Sequence, residues 1–277
     1  MTLEAALRQG SKLLEEAGVQ APRLTAEVLL SHAIGRDRVY LYTHPGQELE
    51  RIPWIHYGRY LHERMGGKPT QYITRKQEFY GRDFRVTPDV LIPRPETEHL
   101  VETALQLAPG ARSILDVGCG SGAIAITLQL ETGARVVATD ISHSALLVAE
   151  SNARRLGASV EFIECDVSSA IASEAVDLLV SNPPYIPQSE EPYLPREVRD
   201  FEPHKALFGG PTGLEIYARL IDDAKRVVRP GGWLMVELGF KLEAGVRGLL
   251  SACWEEIQVV PDLAGIPRVL AARKAAA

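Results

Sequence analysis

Four consecutive residues, Asn182-Pro183-Pro184-Tyr185, end the apolar run Leu178-Leu179-Val180-Ser181. Proline has no N–H and fixes its own φ, and a residue before proline is pushed into extended geometry, so Asn182 and Pro183 are both held extended. Such a stiff corner also serves as a plain turn. As a site it has a definite chemistry. A planar NH2 group has its lone pair delocalised and is a poor nucleophile. It reacts only when held in line with its electrophile, with its N–H groups on acceptors that favour the charge developing on nitrogen. The Asn182 side-chain carbonyl and the Pro183 backbone carbonyl are two such acceptors, and Tyr185 offers a flat face on which a planar group can stack.

A second group lies upstream. The stretch DVGCGSGAIAI (116–126) places Gly118, Gly120 and Gly122 after an apolar strand and before an apolar helix. Glycine lets backbone approach a ligand and a helix start presents N–H groups, although tight strand-to-helix turns use glycine as well. The next strand pattern ends at Asp140, where a carboxylate can accept both hydroxyls of a ribose. The spacing is GxGxG, whereas the dinucleotide pattern GxGxxG serves a pyrophosphate; Asp116, just before the loop, would repel a pyrophosphate and suit a cation. S-adenosylmethionine, with a ribose, an adenine and a sulfonium but no phosphate, fits, leaving as S-adenosylhomocysteine. The candidate cofactor contacts are Gly118, Cys119, Gly120, Ser121, Gly122, Asp140, Asp166, Val167 and Asn182. Asp166 ends a third strand pattern, where it can accept from an adenine amino group with Val167 against the ring; a loop-capping role for Asp166 is equally open.

These residues need a scaffold, and the hydrophobic rhythm supplies one. From about residue 93 the pattern alternates strand, loop and helix: SILDVG, RVVATD, VEFIECD, VDLLVSN, GGWLMVEL and IQVVPD read as strands, with ISHSALLVAESNARRLG and GLEIYARLIDDAKRVVR as helices. That predicts an α/β fold with a mostly parallel sheet covered on both faces, and a ligand crevice beyond the carboxyl ends of the strands. Residues 1–74 carry helical stripes, such as Leu3, Leu7, Leu13 and Leu14, and read as a small all-α domain. Residues 75–92 read as a β-hairpin linker, 93–277 as the α/β domain, and the AARKAAA tail as frayed. Trp54 and Trp233 read as core.

Composition narrows the classes. The chain has 277 residues, 45% of them hydrophobic, and a formal net charge of -6. No apolar run approaches the roughly 20 residues needed to span a bilayer, and the N-terminus has no signal-peptide core, so the expectation is a cytoplasmic protein that does not engage membranes. Three widely spaced cysteines and seven histidines without ligand spacing imply no disulfide framework and no metal. The acidic balance and 6% aromatic content argue against stable nucleic-acid binding, and so against a DNA or RNA amino-methyltransferase, which must grip a charged backbone and flip a base. A nicotinamide dehydrogenase would leave the Asn182–Tyr185 segment without a role. A non-catalytic cofactor-binding module remains open.

The tetrapeptide resembles the [DNS]PP[YFW] motif of amino-group methyltransferases acting on adenine, cytosine or glutamine amides. The segments EFYGRDFRVTPDVLIPRPETE (78–98) and YLPREVRDFEPHKALFGGPTGLEIY (193–217), with LDVGCGSG, SNPPYI and DLAGIPRVLAARK, are similar to those of the peptide chain release factor glutamine methyltransferases, over nearly the whole chain. The resemblance implies a Rossmann-like class I S-adenosylmethionine-dependent methyltransferase domain behind a helical domain that helps grip the substrate. It implies transfer of a methyl group to the side-chain amide nitrogen of the glutamine in the Gly-Gly-Gln loop of class I release factors. By position, Gly118, Gly120, Gly122, Asp140, Asp166 and Val167 would hold the cofactor, and Asn182, Pro183, Pro184 and Tyr185 the glutamine, with Asn182, Pro183 and Tyr185 catalytic. One position departs: family members often carry glutamine three residues past the glycine of VELG, where this chain has Leu242. Its distance in sequence from the motifs suggests little consequence. Arg94, Glu96 and Glu98 could line a substrate entrance, yet Pro95 followed by two acids also reads as a helix start. Glu202 and Gly209-Gly210 read either as shaping the loop near Asn182 or as a plain turn.

Overall fold

In the computed structural model, which describes residues 1–276, the chain divides into two units, residues 1–76 with 195–201 and the remainder. The first is helical: α1 (Leu3–Glu16), α2 (Pro22–Ile34), α3 (Arg38–Thr43), α4 (Arg51–Met65) and α5 (Thr70–Thr74). Side chains of Thr2 and Asp37 cap α1 and α3 by accepting from Ala5 N and Tyr40 N. Leu3, Leu7 and Leu14 meet Leu29, Leu30, Tyr57 and Leu61 in its core, while Leu13 is only partly covered. Trp54 is likewise only partly buried. The buried Glu27 stays ionised among three donors, Arg23, Arg38 and Tyr42. Its pKa falls because those bonds outweigh its burial.

The second unit begins with the hairpin β1 (Lys76–Phe79) and β2 (Arg82–Arg85), whose Phe79 and Phe84 are fully buried in that unit's core. Then follow α6 (Glu98–Leu107), β3 (Ser113–Val117), α7 (Ala123–Thr132), β4 (Arg135–Asp140), α8 (His143–Leu156), β5 (Val160–Glu164), β6 (Val176–Ser181) and β7 (Ile186–Pro187). After α9 (Arg196–Phe201), which belongs to the helical unit, come α10 (His204–Leu207), β8 (Phe208–Gly210), α11 (Glu215–Val227), β9 (Val228–Glu237), α12 (Glu243–Gly248), β10 (Trp254–Pro261) and β11 (Pro267–Lys274).

Seven strands form one sheet in the order β10-β11-β9-β6-β3-β4-β5, with β9, β6, β3, β4 and β5 parallel. Because side chains alternate along a strand, Ile114, Leu178, Val180 and Met235 face α6, α7 and α8 on one side, and Leu115, Leu179, Leu234 and Val236 face α11 and α12 on the other. Of the tail expected to fray, residues 271–274 are instead the end of β11, inserted antiparallel between β10 and β9 with Ala271 and Ala272 fully buried, while residue 277 lies outside the described residues. Alanine is a weak strand former, so the run reads as a tail until both its edges find partners. Trp254, rather than Trp54 or Trp233, is the buried tryptophan.

One buried amide joins three elements. Asn152 of α8 accepts from Arg85 N at 2.8 Å and donates to Arg85 O and Ser121 O at 2.9 Å each, tying the hairpin to the loop before α7. Asn152→Ala strands these backbone groups and should destabilise the protein by about 3 kcal/mol. Chemical denaturation measures the loss directly; a change below about 0.5 kcal/mol would mean that water replaces the amide.

Candidate active site

β4 and β5 lie to one side of β3 and β6 to the other, so the connections leaving β3 and β6 diverge and open a crevice beyond their carboxyl ends. The Ser181 hydroxyl donates to Val117 O at 2.7 Å and pins the two strand ends together. Every residue singled out for cofactor or acceptor falls on this edge: 118–122 after β3, Asp140 at the end of β4, Asp166 and Val167 after β5, and Asn182 to Tyr185 after β6.

The glycine loop works differently from a phosphate cradle. Gly118, Gly120 and Gly122 have φ of +74°, +52° and +80°, conformations that a side chain strains. Their N–H groups are used within the protein: Gly118 and Cys119 donate to Thr139 O at 2.8 and 2.9 Å, Gly120 to Asp140 Oδ2 at 2.9 Å, and Gly122 to Cys119 O at 2.8 Å. The side chains of Cys119 and Ser121 are buried. Burial pushes the Cys119 thiol well above its ordinary range.

Asp116 is fully buried. Its Oδ2 accepts from Ala125 N at 3.1 Å in the first turn of α7, while Oδ1 has no partner among the described residues. Burial pushes its carboxyl up to about 7, opposed by the Ala125 bond and reinforced by the charge of Asp140. Asp140 accepts from Gly120 N and, at 2.8 Å, from Ser142 N. Its pKa is raised by burial, with those backbone bonds pulling the other way. Next to it Ile141 is 55% exposed, a large apolar side chain at the crevice edge that the motif did not flag. The Asp166 side chain is half-exposed and ion-paired with Arg219 of α11, 53 positions away. Val167 adopts a φ of +52°, and its carbonyl accepts from the Thr139 hydroxyl at 2.8 Å.

On the acceptor side, Asn182 Nδ2 donates to Thr97 Oγ1 at 3.1 Å. Asn182 Oδ1 and the Pro183 carbonyl receive no hydrogen bond among the described residues. The segment is clamped from outside by β8 pairing with β7, where a Cβ on Gly209 would lie 2.5 Å from Pro184 O and 2.9 Å from Tyr185 Cα. Gly209 thus shapes the site. Glu202, buried, binds Arg94 Nη2 at 2.5 Å and Ile92 N at 3.3 Å, so Arg94 and Glu202 brace the loop leading to β8. Glu98 opens α6 and accepts from Tyr80 N at 2.8 Å, the helix-start reading, while Glu96 is exposed. Tyr185 packs against Gly239, where a Cβ would sit 2.7 Å from Cδ2, and burial raises its phenol above the ordinary value. Leu242, remote in sequence, flanks the same Gly239 and packs in the same cluster as Tyr185. Its departure from the family pattern therefore falls beside the acceptor site.

Two buried polar residues were missed: Thr97, in a 3-10 turn before α6, and Glu237, at the end of β9. The only signal in the sequence was a lone acid closing the apolar run WLMVEL.

The PrmC N-terminal domain family matches residues 5–74, and the methyltransferase small domain family matches residues 96–194. A release factor glutamine methyltransferase of Koribacter versatilis is 48% identical, covering 99% of each chain. One from Nitratidesulfovibrio vulgaris is 44% identical, over 99% of this chain and 95% of that one, and one from Bacillus subtilis 38%, over 98% and 97%. Among solved structures, a methyltransferase from Pyrococcus furiosus superposes with a TM-score of 0.55 at 18% identity, covering 71% of this chain and 91% of that one. The catalytic domain of hMettl16 gives 0.59 at 18%, over 73% and 79%. These two establish the fold. The near-full-length identities establish more: the chain belongs to the release factor glutamine methyltransferase family.

Proposed function

We propose that the protein transfers a methyl group from S-adenosylmethionine to the side-chain amide nitrogen of the glutamine in the Gly-Gly-Gln loop of class I release factors. The observation that carries this reading is the Asn182 amide, held through Nδ2 by Thr97, with Oδ1 and the neighbouring Pro183 carbonyl undonated beside the glycine-loop crevice. Two fixed acceptors at a strand end suit a substrate that presents two N–H groups in one plane.

The residues present fit the cofactor. The internally bonded N–H groups of Gly118, Cys119, Gly120 and Gly122 and the carboxylates at 116 and 140 disfavour a phosphate and favour a cation, and Asp116 Oδ1 is an acceptor without a donor among the described residues. Asp140 keeps lone pairs for two ribose hydroxyls after its two backbone bonds. Ile141 would cover the base, Val167 would flank it, and Asp166 would reach its amino group once turned from Arg219. When bound, S-adenosylmethionine supplies an electrophilic methyl group on a sulfonium. Asn182 and Pro183 hold the glutamine N–H groups, fix the nitrogen in line, and stabilise the positive charge that grows on it. Tyr185 walls the planar amide, with Gly239 packed against its ring. No strong base is needed, since the methylated nitrogen sheds its proton readily.

The helical unit leaves Val39, Tyr42, Ile52 and Ile55 more than half exposed, which supports a role in gripping the release factor. The acidic crevice and net charge of -6 argue against nucleic acid as a stable partner. Among the described residues no helix is long and apolar enough to cross a membrane; a translation-factor substrate supports a cytoplasmic location.

Labelled methyl groups should pass to a purified class I release factor and not to the same factor lacking the loop glutamine, nor to single-stranded or duplex DNA; label on DNA alone would overturn the assignment. In the same assay Asn182→Ala should lower turnover by about 100-fold and leave cofactor affinity nearly unchanged. Asp140→Ala should weaken cofactor binding by about 1 to 3 kcal/mol in calorimetry; unchanged affinity would sink the ribose assignment.

Asp116 gives a pH signature of unusual sign. Its carboxyl is raised from 3.8 to about 7, so the folded chain binds the proton more tightly than the unfolded one over that window. The contribution to stability is full below the lower value and disappears as pH rises through the upper one. Asp116→Asn keeps an acceptor for Ala125 N and removes the titration. The melting temperature of the ligand-free wild type, relative to this variant, should fall between pH 5 and pH 8; a constant difference would show that Asp116 is ionised throughout.

A further inference from the structure

Behind the Asn182 amide the donors and acceptors can be counted. Glu237 closes β9 and is 2% exposed. β9 runs parallel to β6 with Val236 opposite Ser181, so Glu237 lies one step further along, level with Asn182. Its backbone carbonyl accepts from the Tyr217 hydroxyl at 2.6 Å, and that hydroxyl accepts from Gly239 N at 3.2 Å, which holds the strand end rigid. Its Oε2 has no partner among the described residues, a costly arrangement for a buried carboxylate. Burial pushes its carboxyl up to about 7; hydrogen bonding from Thr97, the charge of Arg268 and the Tyr185 hydroxyl oppose the shift, and Glu96 reinforces it. The groups that face it are thus Glu96 and Thr97 from the turn before α6, Tyr185 after β6, Tyr217 of α11 and Arg268 of β11.

The Thr97 hydroxyl has one proton to give and lone pairs to share. The Asn182 carboxamide can meet it in two ways, donating from Nδ2 to Oγ1 or accepting the hydroxyl proton at Oδ1. The choice decides which end of the amide faces the crevice. We infer that Glu237 is a positioning residue for methyl transfer: its carboxylate takes the Thr97 proton, Thr97 Oγ1 is left to accept from Asn182 Nδ2, and the Asn182 carbonyl is thereby turned to the substrate amide. Protonating Glu237 removes the obligation. The Thr97 proton can then go to Asn182 Oδ1, the carboxamide turns over, and its NH2 group opposes the substrate N–H groups instead of accepting them.

The inference rests on the methyl-transfer reading, and the experiment separates the two. The full-length enzyme, labelled cofactor and a purified release factor are used throughout. Thr97→Val should lower kcat by about 10- to 100-fold, with KM for the factor and the cofactor Kd within about twofold, and Thr97→Ser should recover most of the loss. Glu237→Ala should lower kcat similarly, and the double variant Thr97→Val/Glu237→Ala should be no slower than the worse single variant. The near-isosteric Glu237→Gln keeps an acceptor for Thr97 but cannot titrate. Its kcat profile should lose the acid limb that the wild type shows as pH falls through about 7. An acid limb unchanged in Glu237→Gln, or losses that add in the double variant, would overturn the inference while wild-type activity left the parent reading intact. A wild type that transfers no label to the factor would overturn both.

Discussion

β3 and β6 are hydrogen-bonded neighbours whose outgoing connections run in opposite directions, and the rest of the site depends on that reversal. Parallel strands present all their carboxyl ends on one edge, and right-handed crossovers cover the sheet on both faces. Only where strand order reverses do two adjacent ends stand free of a covering helix. The glycine loop leaves from one of those ends and the Asn182 segment from the other, with Ser181 bonded to Val117 O at 2.7 Å between them. A cofactor held by the first loop would meet an acceptor held by the second across these two adjacent strand ends.

Electrostatics then selects what can occupy the crevice. Asp116, Asp140 and Glu237 all lie at this edge, and burial raises the pKa of each. A polyanion would be repelled by such an edge, and the N–H groups of Gly118, Cys119, Gly120 and Gly122 that might have compensated are spent on Thr139, Asp140 and Cys119. The glycines here are used for backbone conformations at positive φ rather than for donating to phosphate. A cationic ligand at this edge would offset the cost of burying these carboxylates, and its binding would then stabilise the folded chain.

Rigidity on the acceptor side comes from several weak constraints acting together. Two prolines hold the chain extended, Gly209 presses against Pro184 and Tyr185, Gly239 backs the Tyr185 ring, and the Arg94–Glu202 pair braces the loop that carries β8. Each alone would tolerate movement. Combined, they restrict the movement of the Asn182–Tyr185 segment that carries the two carbonyl oxygens.

The amino-acid order by itself determined the periodicities, and hence the all-α first part, the strand–helix alternation that follows, the glycine turn with Asp140 at the next strand end, and the stiff Asn182–Tyr185 corner. These are local properties, set by φ preferences and by which face of an element is apolar. Tertiary structure alone decided the partners. Thr97 reaches Asn182 across 85 positions, Arg219 reaches Asp166 across 53, and Leu242 arrives in the same cluster as Tyr185. The end of the last strand, with Ala271 and Ala272, has little intrinsic preference for its conformation and takes it because β9 and β10 offer edges on both sides of it. Glu237 shows the division most clearly: an acid in an apolar run is visible in the sequence, but whether it is exposed, paired or poised is a matter of which strand lies next to β9, and that is fixed by non-local pairing.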